Sequence, residues 1–175
     1  MGSSNVLNPD IAAKAEQIGR EIATRGAVLI TGATTGLPLA AAKGANQCGG
    51  EVIGFSPAIN WDEHKRIGMP QEHHDLIVCT GLSLKGRNLL NVRACHGILF
   101  LGGSMGTLNE FTIAYDEAKI IGILEGSGGF CDHLREWMQY LSKPQNQAII
   151  HYNADPVQLV DDVFASIEQI FGRKK

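Results

Sequence analysis

"GILFLGGSMGTLNEF", residues 97–111, joins a short apolar run to a segment of helical character through a turn holding Gly102, Gly103, Ser104 and Gly106. A brief, continuous apolar run bounded by turn residues reads as a strand buried on both faces. Such a strand-to-helix connection needs one flexible residue and a cap, so the additional glycines predict a close approach to the backbone. The same alternation continues in both directions. Upstream, "AVLIT" (27–31), "EVIGF" (51–55) and "DLIVCTG" (75–81) read as strands; downstream, "IIGIL" (120–124) and "AIIHY" (148–152) do so. Helical spacing covers 10–25, 37–50, 86–95, 106–119, 130–141 and 156–171, with Asp10 expected to cap the first helix and Gly26 to stop it. Strands alternating with helices predict the α/β class, a Rossmann-like three-layer fold with a mostly parallel sheet. The chain opens with "MGSSN" directly before a helix, where this fold would own a strand: either the segment is foreign to the fold or the sheet lacks its first strand. Residues 57–74 are expected to form an irregular surface excursion.

The 175 residues fit one domain, 1–175, and a domain of that size buries roughly 70% of its unfolded surface without staples. A formal net charge of −3 argues against nucleic acid as a partner, since the only basic cluster is the terminal Arg173, Lys174 and Lys175. No apolar run is long enough for a membrane span, and the N-terminus lacks the order of a signal peptide. Cys48, Cys79, Cys95 and Cys131 are widely spaced without a CxxC pair, and are expected to be buried free thiols in a reducing compartment. A cytoplasmic protein with no membrane partner is the expectation.

Three glycine-rich turns fall after strands, where open parallel sheets bind ligands. They are "TGATTGL" (31–37), "GGSMGT" (102–107) and "GSGG" (126–129). A helix N-terminus carries free N–H groups and a partial positive charge, which suit a phosphate. The candidate binding residues are Gly32, Thr34, Thr35 and Gly36 in the first turn, and Gly103, Ser104, Met105, Gly106 and Thr107 in the second. Neither GxxxxGK[ST] nor GxGxxG is present, which excludes an ordinary NTPase or dinucleotide fingerprint. Glu110 either completes a capping box with Thr107 or lies beside a sugar, accepting ribose hydroxyls or stabilising positive charge. Arg87 is either a surface cation or, opposing the dipole at a helix start, a partner for an anion. His73, His74 and Asp75 are too close in sequence to converge on one ion, so neither a metal nor a resident cofactor is expected. Trp61 and Phe55 either stack on a base or pack the rim. A serine or cysteine hydrolase is not expected.

"GGSMGTLNE" (102–110) resembles the PGGxGTxxE motif of the LOG ("Lonely Guy", lysine-decarboxylase-like) family, and the segment 31–57 resembles that family's GGGxxGLMG turn with its following helix and strand. "GRNLLNVRACHGILFLGGSMGTLNE" (86–110) is closer to small bacterial members of the wider nucleotide-binding superfamily, which includes molybdenum-cofactor carrier proteins. The resemblance covers about residues 20–125. It implies a Rossmann-like homodimer that binds a nucleotide or other phosphate-bearing small molecule. For true LOG enzymes it implies hydrolysis of nucleoside 5′-monophosphates to free base and ribose 5-phosphate, with Arg87 and Glu110 as catalytic residues, and this is the expected function; the alternative is a carrier or sensor that binds such a ligand without turnover. The chain departs from the LOG motifs at Gly102 (proline there), at Ser104 (glycine there), at Pro38-Leu39, and at Gly86 and Asn88 around the arginine.

Overall fold

Helices and strands alternate along the chain in a computed structural model that describes residues 1–3, 8–141, 143 and 145–172. In chain order they are α1 (Pro9–Thr24), β1 (Leu29–Thr31), α2 (Leu37–Gln47), β2 (Val52–Ser56), α3 (Trp61–Arg66), β3 (Leu76–Cys79), α4 (Ser83–Arg93), β4 (Gly97–Leu101), α5 (Met105–Asp116), β5 (Ile120–Leu124), α6 (Cys131–Leu141), β6 (Ile149–Asn153) and α7 (Pro156–Phe171). All paired strands are parallel, in two halves of order β1-β2-β3 and β4-β5-β6. The fold is Rossmann-like α/β.

Strands β4 and β5 show why the sheet needs cover on both faces. Ile98, Phe100, Ile121 and Ile123 pack into one cluster with Val92 of α4, Phe111 of α5 and Leu134 of α6. Leu101 and Leu124 face the opposite way, onto Ile18 of α1 and Leu159 of α7. Alternate residues of one strand thus feed two cores, as the period of two requires. On this second face α1 and α2 approach unusually closely through glycine: a Cβ on Gly19 would lie 1.9 Å from Ala41 O, and one on Gly44 1.9 Å from Glu16 O.

Several expectations change. The first helix is capped by Asn8, whose Oδ1 accepts from Asp10 N–H at 2.9 Å, with Pro9 opening the helix; Asp10 is already inside the first turn. The supposed irregular excursion contains α3, too short to show a period, capped by Asn60. Its His64 is fully buried between Ser56 Oγ and Pro70 O, at 2.8 and 3.1 Å. Of the cysteines, none of which is in a disulfide, only Cys131 is buried; Cys48 is exposed just past the end of α2, and Cys79 and Cys95 are half-buried. Where the first strand was expected to be lacking, Met1 and Gly2 run parallel to β4. Gly2 bridges Leu101, Leu101 N–H donates to Met1 O at 3.1 Å, and the Met1 amine donates to Leu99 O at 2.6 Å. Arg173, Lys174 and Lys175 lie outside the described residues. Among the described residues no helix is long and apolar enough to cross a membrane.

Candidate functional site

Strands β1, β4 and β5 all end at one edge of the fold, and each runs into a glycine turn. In the first turn Thr31 Oγ1 accepts from Ala33 N–H at 3.1 Å and meets His74 Nε2 at 2.8 Å. The other ring nitrogen, Nδ1, lies 2.9 Å from Glu72 O. A carbonyl only accepts, so Nδ1 carries the proton and Nε2 accepts from the Thr31 hydroxyl. Burial pushes the His74 imidazole below its ordinary range, which keeps this neutral form at pH 7. Replacing His74 by alanine strands the Thr31 hydroxyl beneath the turn. A loss of about 1–2 kcal/mol of stability in urea unfolding is expected, and His74→Gln, which restores an acceptor, should recover part of it.

The second and third turns lock onto each other. Gly102 N–H donates to Ser127 Oγ at 2.8 Å, the Ser127 hydroxyl donates to Leu124 O, and Phe130 N–H donates to Gly103 O at 3.1 Å. Gly103 has φ +93°, and a Cβ there would meet Thr107 at 2.5 Å; a Cβ on Gly129 would sit 2.2 Å from Gly103 O. Gly129 is therefore consumed by loop-to-loop contact, and Gly103 by the turn onto its own helix. Gly106 differs, since a Cβ there would meet nothing within 4 Å. Ser104 caps α5 without a side-chain bond, so the first-turn N–H groups of α5 are left for another acceptor. The capping box, one of the two readings of Glu110, is absent because α5 begins earlier than that motif requires. Both residues are buried within the helix instead. In contrast, the first N–H of α2 is already taken, by Ser3 O at 2.9 Å.

Arg87 and Glu110 meet beneath the turns. Arg87 does not open its helix as a surface cation; α4 begins at Ser83, which places Arg87 one turn in and leaves it only 5% exposed. Its Nη1 lies 3.5 Å from Glu110 Oε1, which also accepts from Asn91 Nδ2 at 3.4 Å. Both contacts are long, while Arg87 Nε and Asn91 Oδ1 are buried with no hydrogen-bond partner. Burial pushes the Glu110 carboxyl up, against the pull of the Met1 amine, Arg87 and Asn91, and pushes the Arg87 guanidinium down. The guanidinium lies against Gly32, where a Cβ would stand 2.3 Å from Nη1. Gly32 is thus explained by Arg87 rather than by an approaching anion.

Two cavities flank the α5 N-terminus. One, of about 340 Å³, is lined by Gly32, Thr34, Gly106 and Thr107 together with Arg87 and Glu110, over an apolar floor of Leu29, Ile30, Ala41 and Leu101. The other, of about 420 Å³, lies between residues 102–104 and 126–129. Ser104, Leu37 and Ser3 line both. Of the residues expected at the site, Thr35, Gly36 and Met105 line neither cavity: Gly36 caps α2 with φ +78°, and the Met105 side chain is 77% exposed. Sequence reasoning missed Lys85 and Asn88 in the first cavity, and Ser127 and Asp132 in the second. Lys85 and Asn88 stand three residues apart on one helix, the spacing that shares a face, and that was the available signal. Neither Trp61 nor Phe55 lines either of these two cavities; Trp61 stacks on His64 at 5.1 Å between centroids. Among the described residues no three histidine, cysteine or carboxylate side chains could share a metal ion.

Comparison with known proteins places this geometry in context. The family model described as the SLOG cluster4 family matches residues 1–160. An uncharacterized protein of Archaeoglobus fulgidus is 31% identical over 111 residues, 63% of this chain and 68% of that protein. The molybdenum cofactor binding protein from the phototrophic bacterium Rippkaea orientalis superposes with a TM-score of 0.77 at 27% identity, covering 95% of this chain and 93% of that one. The molybdenum cofactor carrier protein of Chlamydomonas reinhardtii has a TM-score of 0.73 at 24% identity, covering 99% and 96%. At that identity the latter establishes likeness of fold.

Proposed function

Because the chain belongs to the SLOG cluster4 family, we propose that it binds and carries a phosphate-bearing cofactor of the molybdenum-cofactor type without turning it over. The observation that carries this reading is the pairing of an α5 N-terminus without a side-chain cap with a buried guanidinium that has an unsatisfied N–H. Both are donors in search of an anion, and charge-assisted hydrogen bonds to such donors are the strong ones. In this reading residues 103–107 hold the phosphate, Arg87 and Lys85 supply positive charge, Thr34 adds a hydroxyl from the first turn, and Gly32 and Gly36 shape that turn. The solved relative at 27% identity, described as a molybdenum cofactor binding protein, supports the ligand class. A cytoplasmic homodimer belongs to the same proposal. Its support is the set of free cysteines and the exposure of Leu76 and Val78 on strand β3.

A second reading, hydrolysis of the N-glycosidic bond of a nucleoside 5′-monophosphate, is favoured by the placement of Glu110 and Arg87 in the wall of one cavity. Such a reaction builds positive charge on the sugar, which a fixed carboxylate would stabilise. Burial, however, drives Glu110 toward its neutral form, which favours carriage.

Incubation with a panel of nucleoside 5′-monophosphates, followed by chromatography, separates the two. Carriage predicts no released base from the wild type or from Glu110→Gln, with thermal stabilisation by the intact ligand in both. Base release that disappears in Glu110→Gln establishes the hydrolase and overturns the carrier. Glu110 also sets a pH dependence. Its folded pKa is raised above the ordinary 4.5, so as pH falls through that raised value the carboxylate facing the anion is neutralised and affinity rises. The difference in affinity between wild type and Glu110→Gln should therefore favour the variant above that raised value and close as pH falls through it; titration calorimetry across pH checks this.

A further inference from the structure

The two cavities on either side of α5 differ in chemistry as well as position. The smaller sets two cations, Lys85 and Arg87, against the single carboxyl group of Glu110 and has its own apolar floor, so it can take a flat ring as well as a negative charge. Among the described residues the larger has no lysine or arginine, and its single charged side chain is Asp132. One oxygen of that carboxylate accepts from Gly128 N–H at 3.0 Å. A phosphate would be repelled there, whereas a neutral heterocycle or sugar bearing N–H or O–H donors would be received. Between the two stands Ser104, at the start of α5 and shared by both linings. A single nucleotide is satisfied by one cavity of this size, since pockets of about 300 Å³ and above already enclose small ligands.

Resting on the reading above, we infer that this site takes a two-headed ligand: a diphosphate-linked pair of cyclic moieties, with the diphosphate across the N-terminus of α5 and one head in each cavity. The first-turn N–H groups of α5 and the Arg87 guanidinium in the cavity wall meet the diphosphate oxygens. The head on the Arg87 side lies over Leu29 and Ile30, and the other donates to the remaining oxygen of Asp132. A mononucleotide occupies the Arg87 side alone. Joining two heads makes the second binding event intramolecular, and the gain should be large even though each contact is modest.

The test is titration calorimetry of the full chain with GMP and with diguanosine 5′,5′-diphosphate, whose identical heads cancel base preference. The diphosphate is expected to bind tighter than GMP by about a hundredfold. Asp132→Tyr, which places a ring in the larger cavity, should erase that advantage and leave GMP affinity unchanged. Ile11→Phe fills the same cavity from α1 and should act alike without removing the carboxylate. Equal affinities for the two probes in the wild type overturn the inference, as does an advantage that survives both substitutions. Binding of GMP in those cases leaves the phosphate-site reading standing, whereas no heat with either probe overturns that reading and the inference with it.

Discussion

Arg87→Ala should lower affinity for GMP by a factor on the order of a hundred or more, the largest functional effect expected of any single change in this protein. Truncating one partner of a buried charged contact costs roughly 2–5 kcal/mol, and each 1.4 kcal/mol is tenfold. Here the ligand loses its buried cation, which faces Glu110 across 3.5 Å. Arg87→Lys should recover only part of the affinity, because an ammonium cannot reproduce the planar fork and its reach is shorter. Gly32 offers an independent check. Its Cβ position lies among the guanidinium atoms, so Gly32→Ala should weaken GMP binding by displacing Arg87. The same change should then cost little further in an Arg87→Ala background. Titration calorimetry on the four proteins of that cycle measures the coupling; binding that is unchanged in Arg87→Ala would remove the guanidinium from the site.

Gly44→Val is expected to have the largest effect on stability. The added Cβ would stand 1.9 Å from the Glu16 carbonyl oxygen, a backbone atom inside a regular helix, so relief requires α1 and α2 to separate. Overpacking of this kind costs about 3 kcal/mol, and more where backbone must move. For a chain of this length that corresponds to a drop in midpoint of roughly 10 °C. Gly19 forms the reciprocal contact, against Ala41 O, and Gly19→Val should behave alike. Since α2 begins at the end of the first glycine turn and its opening N–H is bound by Ser3 O, separation of the helices should also weaken ligand binding at temperatures where the variant is still folded. Thermal and urea unfolding followed by circular dichroism check the first expectation, and calorimetry at low temperature the second. An unaltered midpoint would mean that the two helices are not held at glycine distance.

The alternation of short apolar runs with helical segments, readable in residues such as Ile98, Phe100, Ile121 and Ile123, determined by itself the α/β class, the parallel strands and their order along the chain. Periodicity is a property of local sequence, and a strand buried on both faces leaves no choice but layers of helix above and below. It also determined that glycine turns would gather at one edge, with Arg87 and Glu110 nearby, because every strand in a parallel sheet ends on the same side. What each of those glycines is for was decided only in three dimensions. Gly32 makes room for Arg87, Gly129 for the Gly103 carbonyl, and Gly44 for α1, whereas Gly106 opens onto space. Tertiary structure alone also decided that Arg87 is buried rather than exposed, that His74 holds Thr31, that Met1 and Gly2 lie along β4, and that Asp132 stands in a cavity of its own. The physical reason is common to all of them: each depends on atoms separated by many residues in the chain, and distance, burial and partner choice are set where elements meet rather than where they are written.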